Sequence, residues 1–245
     1  MAKLTKAEVA QHNKIKDLLY SDKALTWDEK EFMLEHYHEG ATSINSEAGA
    51  FFTPHGLARD FTLDVGGGKL IDMCAGIGKL SFWKLTYDQY QKTIKDLICV
   101  ELNPQYVELG KRIVPEATWI QGDVLSVDLP DDFDWAYSNP PFGNIKTSEW
   151  SGKYKGSNFE YKVIERASQI AKNGSFILPS GSCNFKYSGA HYFDWIERPK
   201  YKTFNKQTGI EFHAGVGIDT SVYKNDWKGV SVICESVVCY FNGDE

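Results

Sequence analysis

The sequence predicts an α/β protein with a mostly parallel sheet that has helices on both faces. Short apolar runs alternate with segments of helical spacing between residues 69 and 178, which is typical of parallel strands joined by crossover helices. Two longer apolar runs, 210–222 and 230–241, flank a short polar turn and predict an antiparallel hairpin. With 245 residues, 42% of them hydrophobic, the chain can form one large domain with a small addition.

The first 45 residues are predicted to form a helical extension before a main domain that spans residues 46–245. Thr26 and Glu29 have the spacing of a capping box, in which each side chain bonds the backbone N–H of the other residue. Apolar residues such as Met33 can then line one face of the helix that follows.

Five strands are expected in the main domain, each at a short apolar run. With the hairpin they make a seven-stranded sheet. The predicted strands are 70–74, 97–101, 118–121, 134–138 and 175–178, and the predicted helices begin near Lys79, Pro104 and Asn158.

The charge of the chain is unevenly distributed. The formal net charge is −6, yet the segment 144–206 contains 11 Lys or Arg, five Asp or Glu, and 12 Phe, Tyr or Trp. Basic residues interleaved with aromatic ones suit a phosphate backbone and stackable bases. We expect a small substrate-recognition region within 144–206 and a nucleic-acid partner. A solvated loop whose aromatic residues belong to the core is the plainer alternative.

The sequence also indicates the cellular compartment of the protein. No apolar run is long enough to span a membrane, and the N-terminus lacks the apolar centre of a signal peptide. No CxxC pair occurs, so we expect buried free thiols in a reducing cytoplasm, with no metal site and no membrane partner. The five cysteines are Cys74, Cys99, Cys183, Cys234 and Cys239.

A strand, a glycine turn and a helix start follow one another from Asp72 to Leu80. Glycines let the backbone turn tightly and approach a ligand. The third glycine of the dinucleotide fingerprint is absent because Ser81 takes its place, which argues against a cofactor with a pyrophosphate. The candidate cofactor residues of this turn are Asp72, Cys74, Ala75, Gly76 and Gly78.

Two carboxylates follow the next two strands. Glu101, at the end of the second strand, can accept hydrogen bonds from both hydroxyls of a ribose. Asp123, after the third strand, can accept one from an adenine amino group, and helix capping is its alternative role. Their neighbours Leu102 and Val124 complete this part of the predicted cofactor site.

The fourth strand ends in Asn139-Pro140-Pro141-Phe142. Two consecutive prolines stop a strand and hold the backbone in one shape. An amide side chain, a proline carbonyl and an aromatic ring thereby stand side by side, where they can hold a planar amino group from three directions. A proline-terminated strand without chemistry is the alternative.

Taken in order, these motifs resemble those of the Rossmann-type, or class I, S-adenosylmethionine (SAM) dependent methyltransferases, and specifically the N6-adenine DNA methyltransferases. In that family a Phe-x-Thr-Pro element covers the methionine moiety of SAM, and the order of the motifs here resembles the gamma group of amino methyltransferases. The matching residues are Phe51-Phe52-Thr53-Pro54, the turn from Asp72 to Gly78, the ribose carboxylate Glu101, the adenine-binding Asp123 and the catalytic Asn139 to Phe142.

The resemblance implies SAM as the cofactor and methyl transfer to the exocyclic N6 amino group of adenine, most simply in double-stranded DNA. Asn139 would also contact the cofactor, and Phe142 would stack on a base that has left the duplex. Lys146, Lys153 and Lys155, in a flexible segment after the motif, are expected to contact the substrate.

The chain departs from this family in one respect. Such enzymes commonly carry a separate target-recognition domain, whereas here only part of 144–206 is available for one. We therefore expect short or relaxed sequence specificity. The alternatives are a methyltransferase for adenine or guanine in RNA, a protein glutamine methyltransferase, and a non-catalytic nucleic-acid binding protein. The oligomeric state is left open.

Overall fold

The computed structural model describes residues 6–37, 51–145, 149–228 and 230–241. Within these ranges it has eight strands and seven α-helices. The strands are β1 (Gly68–Asp72), β2 (Ile94–Glu101), β3 (Thr118–Gln121), β4 (Phe133–Ser138), β5 (Ala171–Pro179), β6 (Phe185–Lys186), β7 (Asp194–Trp195) and β8 (Cys234–Tyr240). The helices are α1 (Lys6–Leu19), α2 (Trp27–His36), α3 (His55–Phe61), α4 (Lys79–Asp88), α5 (Pro104–Ile113), α6 (Phe159–Ser168) and α7 (Pro199–Thr208).

Six of these strands form one sheet, in the order β3-β2-β1-β4-β5-β8. The pairs β1–β2, β2–β3, β1–β4 and β4–β5 are parallel. The chain runs outward from β1 to β3 and then returns to the other side of β1 as β4. In open α/β sheets such a reversal opens a crevice at the carboxyl ends of the two central strands.

The predicted α/β class and the mostly parallel sheet are confirmed, and so is the antiparallel closure by the end of the chain, because β8 pairs antiparallel with β5. The count of seven strands is wrong, since the sheet has six. The strand predicted at 210–222 is reduced to one antiparallel bridge between His213 and Val238. Gly215 and Gly217, with φ of +58° and +78°, interrupt this run with backbone that an extended strand does not contain.

The N-terminal helices pack onto the main domain. The capping box at the start of α2 is confirmed, with the Thr26 amide 2.8 Å from Glu29 Oε2 and the Glu29 amide 3.3 Å from Thr26 Oγ1. Arg112, in the last turn of α5, donates from Nη2 to the carbonyls of Leu18, Ser21 and Lys23 at 3.2, 2.8 and 2.7 Å.

The same helices contribute to the core. Ile15, Met33 and Leu34 are buried in one cluster with Leu70 of the central strand. The extension is therefore part of the domain's hydrophobic core, and the predicted boundary between residues 45 and 46 lies outside the described residues. Across the described ranges, no helix has the length and apolar character needed to cross a membrane.

Candidate functional site

A cavity of about 370 Å³ opens at the carboxyl ends of the four parallel strands β1 to β4. Its walls come from the segments that follow these strands and from the segment before α3. The described lining residues are 51–53, 73–77, Lys79, Leu80, 100–106, 122–124, Asn139, Pro141, Ile145 and Phe159.

The glycine turn forms the floor of the cavity and leads into α4. Gly76 and Gly78 have φ of +57° and +85°, a region that side chains other than glycine rarely adopt. A Cβ on Gly78 would lie 3.0 Å from Val114 and 3.1 Å from Trp119. Cys74, Ala75 and Gly76 line the cavity, whereas Gly78 lies outside the described lining and serves as the N-cap of α4.

Asp72 lies beneath this turn and is not among the described lining residues. It is fully buried, and its Oδ2 accepts a hydrogen bond from Ser81 Oγ at 2.8 Å. Ser81 Oγ also lies 2.8 Å from the Tyr137 hydroxyl. Burial raises the pKa of Asp72 to about 7. This geometry lets Asp72 hold the first residues of α4 in place. Its Oδ1 has no hydrogen-bond partner among the described residues, and its contact with the cofactor stays a prediction.

Glu101 lines the cavity with both carboxylate oxygens already placed by backbone groups. Oε2 accepts from the Gly76 amide and Oε1 from the Asn103 amide, each at 2.8 Å. Burial raises the pKa of this carboxyl above its usual value. A carboxylate oxygen has a second lone pair, so both oxygens can still accept from a pair of neighbouring hydroxyls.

Asp123 has a turn-capping role and also forms part of the cavity wall. Its Oδ1 accepts a hydrogen bond from the Leu125 amide at 2.9 Å, which is close to the capping role considered as its alternative. Asp123 and the residues Leu102 and Val124 all line the cavity.

The segment 51–54 forms the opposite wall. Lys79 Nζ donates to the Thr53 carbonyl at 2.9 Å, which ties the segment to the start of α4. The ring of Phe52 lies 5.2 Å from that of Tyr106 and 5.8 Å from that of Tyr37, so the C-cap residue of α2 supports this wall. Pro54 is outside the described lining and is the N-cap of α3.

Asn139 stands where this wall meets the end of β4. Its Nδ2 donates to Thr53 Oγ1 at 2.9 Å and to the Phe51 carbonyl at 3.4 Å. Its buried Oδ1 has no hydrogen-bond partner within the described part of the chain.

The rest of the motif surrounds Asn139. Pro141 lines the cavity, whereas Pro140 and Phe142 are outside the described lining. The Phe142 ring packs against the nearly buried Trp227, with centroids 6.5 Å apart and planes at 62°. The motif therefore contacts both the cavity and the nearly buried Trp227.

None of the three lysines predicted to contact substrate is among the described residues that line the cavity. Lys146 lies outside the described residues. Lys153 and Lys155 are exposed, and Lys155 Nζ donates to the Gly152 carbonyl at 2.6 Å. The segment around them is held, because buried Glu165 accepts from the amides of Lys153 and Tyr154. Their contact with substrate stays a prediction.

Of the 12 aromatic residues of 144–206, six are buried, three are exposed, and Trp150, Tyr187 and Tyr201 are half-buried. Six are core residues, as the plainer interpretation expected: Tyr154, Phe159, Tyr161, Phe176, Phe185 and Phe204 are each at most 9% exposed. Only Tyr192, Phe193 and Trp195 are strongly exposed, and they lie together at the β6–β7 ribbon. The aromatic residues of this segment that are open to a partner therefore form a smaller surface than the sequence indicated.

Lys79, Tyr106 and Trp227 are among the residues of the site and its surroundings that the sequence-based predictions missed. Lys79 follows the glycine turn directly, and Tyr106 lies on the buried face of α5, so both could have been found from their position. Trp227 gives no sequence signal, because only the tertiary fold brings it to Phe142.

No protein-family model matched the chain, and no curated protein sequence matched it. Solved structures did match. A putative class I S-adenosylmethionine-dependent methyltransferase from Listeria monocytogenes has a TM-score of 0.62 at 12% identity, over 99% of this chain and 83% of that one.

Two further solved structures that match the chain are also described as methyltransferases. The methyltransferase subunit of a type I restriction-modification system from Streptococcus thermophilus has a TM-score of 0.55 at 18% identity, over 78% of this chain. This chain spans only 45% of that subunit's length. A putative RNA methyltransferase from Pyrococcus horikoshii has a TM-score of 0.50 at 17% identity, over 81% of this chain and 89% of that one. The fold of the chain is therefore that of the class I SAM-dependent methyltransferases, as predicted.

Proposed function

We propose that the protein transfers a methyl group from SAM to the exocyclic N6 amino group of adenine in DNA, with short or relaxed sequence specificity. The orientation of Asn139 carries this proposal. Its NH₂ group is held by the wall of the cavity, and its Oδ1 is left without a partner among the described residues, beside the topological reversal of the sheet. A buried acceptor without a partner can accept a hydrogen bond from a ligand, as the proposed reaction requires.

The residues of the cavity fit SAM. The cavity volume of about 370 Å³ is in the range of small-molecule sites. Glu101 would hold the two ribose hydroxyls, and Asp123 would accept from the adenine amino group of the cofactor. Phe51, Phe52 and Thr53 would cover its methionine end. When bound, SAM would supply the methyl group.

Asn139 and Pro140 would activate the acceptor. An exocyclic amine on adenine is a poor nucleophile because its lone pair is delocalised into the ring. Donation of its two N–H groups to Asn139 Oδ1 and to the Pro140 carbonyl would favour a pyramidal nitrogen, whose lone pair is then free to attack. Positioning and preorganised acceptors are sufficient for this, and no covalent intermediate with the protein is required.

The target base would have to leave the duplex, because its amino group is not reachable while paired. The Phe142 ring, fixed in orientation by its contact with Trp227, would stack on the extruded base. We therefore propose double-stranded DNA as the partner. The five free cysteines favour a reducing compartment such as the cytoplasm.

Methylation of adenine or guanine in RNA is the second candidate. It uses the same acceptor chemistry, and it is favoured by the likeness to a structure described as a putative RNA methyltransferase, which the chain matches over most of both lengths. A protein glutamine methyltransferase and a non-catalytic nucleic-acid binder are less consistent with the site. The first favours Tyr where this chain has Phe142, and the second does not require the oriented amide of Asn139.

One experiment separates these functions. The protein is incubated with labelled SAM and, in parallel, with DNA, RNA and protein, and the products are digested to nucleosides or residues. We expect label in N6-methyldeoxyadenosine, and none with Asn139→Ala as the matched control. Label only in a ribonucleoside or in glutamine would replace the proposal by that function, and no label in any product would refute it.

A further inference from the structure

The short ribbon of β6 and β7 rises from the same edge of the sheet as Asn139. The ribbon follows β5, and β5 pairs parallel with β4, with Phe176 opposite Ser138. The carboxyl ends of adjacent parallel strands lie at one edge, so the chain that leaves β5 begins beside the acceptor motif that leaves β4. We call the ribbon and the helix after it, residues 185–208, the aromatic ribbon.

The aromatic ribbon presents three aromatic side chains to solvent. Tyr192, Phe193 and Trp195 are 83%, 40% and 62% exposed. Phe193 and Trp195 rest on Phe185, which is only 1% exposed: the Phe193 ring stacks on it at 5.5 Å and 23°, and the Trp195 ring meets Phe193 edge-on at 5.0 Å. The Tyr192 ring lies 6.2 Å from that of His191. Exposed apolar groups clustered in this way commonly mark an interaction site.

Two carboxylates, one of them buried, hold the ribbon in position. Glu235 of β8, which is fully buried, accepts from the amides of Tyr187 and Ser188 at 3.3 and 3.0 Å. Asp219 accepts from the Gly189 amide at 3.0 Å. The Ile196 amide donates to the Asn184 carbonyl at 2.7 Å and closes the base of the ribbon. The aromatic side chains therefore stand on a fixed support, which lowers the entropic cost of binding.

The charge of the aromatic ribbon is opposite to that of the whole chain. Its basic residues outnumber the acidic residues Asp194 and Glu197, in a chain with a net charge of −6. The one ion pair that the structure records here, Lys202 with Glu197 at 3.6 Å, has side chains 72% and 88% exposed and contributes little. The basic residues are Lys186, Arg198, Lys200, Lys202 and Lys206.

We propose that the aromatic ribbon binds the nucleic-acid strand next to the target base. Tyr192 and Trp195 stack on unpaired bases, and the lysines of α7 bind the phosphates. This combination of stacking rings and a basic track is the chemistry of single-strand binding. The identity of the ligand rests on the proposed function, and the inference adds that strand recognition occurs on the ribbon, outside the methyl-transfer cavity.

Oligonucleotide binding, measured in the absence of methyl transfer, tests the role of the aromatic ribbon. Fluorescence anisotropy is measured with a short labelled oligonucleotide, as single-stranded DNA, as single-stranded RNA and as a DNA duplex. The double variant Tyr192→Ala/Trp195→Ala is compared with Tyr90→Ala, a tyrosine that is 87% exposed on the connection before β2, at the opposite edge of the sheet.

We expect the Tyr90→Ala variant to bind the single strand as the wild type does, and the double variant to bind roughly tenfold or more weakly. Lys200→Ala/Lys202→Ala should weaken binding at low salt and flatten its salt dependence. Calorimetry with SAM checks that each variant is folded. Equal affinity of the double variant and Tyr90→Ala would overturn the proposal, and so would a change confined to the oligomeric state in light scattering.

The two proposals fail separately. If the wild type methylates DNA or RNA but the double variant keeps wild-type affinity for both strands, only the ribbon assignment is lost. If the wild type methylates no nucleic acid but the double variant still loses affinity, the ribbon assignment stands and the methyl-transfer proposal falls.

Discussion

Asn139 donates through Nδ2 to the Thr53 hydroxyl oxygen at 2.9 Å and to the Phe51 carbonyl at 3.4 Å. A carbonyl oxygen can only accept, so the NH₂ of the amide must face this wall, and Oδ1 must point away from it. The segment before α3 thereby orients the acceptor group of the motif that ends β4.

Removal of the Asn139 acceptor should abolish methyl transfer. We expect Asn139→Ala to lose activity with SAM affinity nearly intact, because the amide would act on the target amine and the rest of the cavity is unchanged. Asn139→Asp, which keeps an acceptor in place, should keep measurable activity. Single-turnover methylation and calorimetry with SAM separate the two effects, and full activity of the alanine variant would contradict the assignment.

Loss of the Thr53 hydroxyl should slow the reaction without blocking the cofactor. Thr53→Val removes the acceptor for Asn139 Nδ2, so the amide loses its fixed orientation and kcat should fall roughly ten- to a hundredfold. Thr62→Val, which removes another buried threonine hydroxyl, one that donates to the Arg59 carbonyl, is the matched control. Equal rates for the two variants would show that Thr53 does not position the amide.

Neutralising Glu101 should weaken SAM binding. Glu101→Gln keeps the shape of the side chain but removes the charged acceptors for the ribose hydroxyls, so we expect affinity to fall roughly ten- to a hundredfold. Asp128→Asn neutralises an exposed carboxylate after β3, outside the described lining. Calorimetry should show no change for this control, and an unchanged Kd for Glu101→Gln would move the cofactor site elsewhere.

The buried Asp72 should make stability depend on pH. Its pKa is raised from 3.8 to about 7 in the folded state, so the folded protein holds a proton that the unfolded chain releases near pH 4. The contribution of this group to the free energy of unfolding is therefore present at low pH and is lost as the pH rises from about 4 to about 7. The loss amounts to roughly 4 kcal/mol.

Asp72→Asn tests this, because it cannot ionise. Urea unfolding at several pH values should show the wild type losing stability relative to Asp72→Asn up to about pH 7, with a constant difference above it. Asp96→Asn, at an exposed position of β2, should follow the wild type throughout. Parallel curves for Asp72→Asn and the wild type would mean that Asp72 ionises as readily in the folded protein as in the unfolded chain.

The local elements of the fold could be predicted from the sequence because their signals are local. The predicted start of α5 and the predicted bounds of β3 agree with the structure. Pro104 opens the helix and Asn103 caps it. The incorrect prediction of a strand at 210–222 also has a physical reason. Its apolar residues have the composition of a strand, but Val216 donates to buried Asp64 at 2.8 Å, and the glycines on either side take left-handed backbone to allow this contact.

The chemistry at the ends of the strands can be read from the order of residues along the chain, because glycine turns, prolines and strand-ending carboxylates act through their own backbone. The sequence therefore determines the α/β class and nominates Glu101, Asp123 and Asn139. The partners of these residues come from distant parts of the chain, so their roles depend on packing. Tertiary structure alone brings Thr53 to Asn139 and Trp227 to Phe142, and places Asp72 beneath the turn. It also separates the exposed aromatic residues of the ribbon from those in the core, because burial follows from contacts that residue order does not specify.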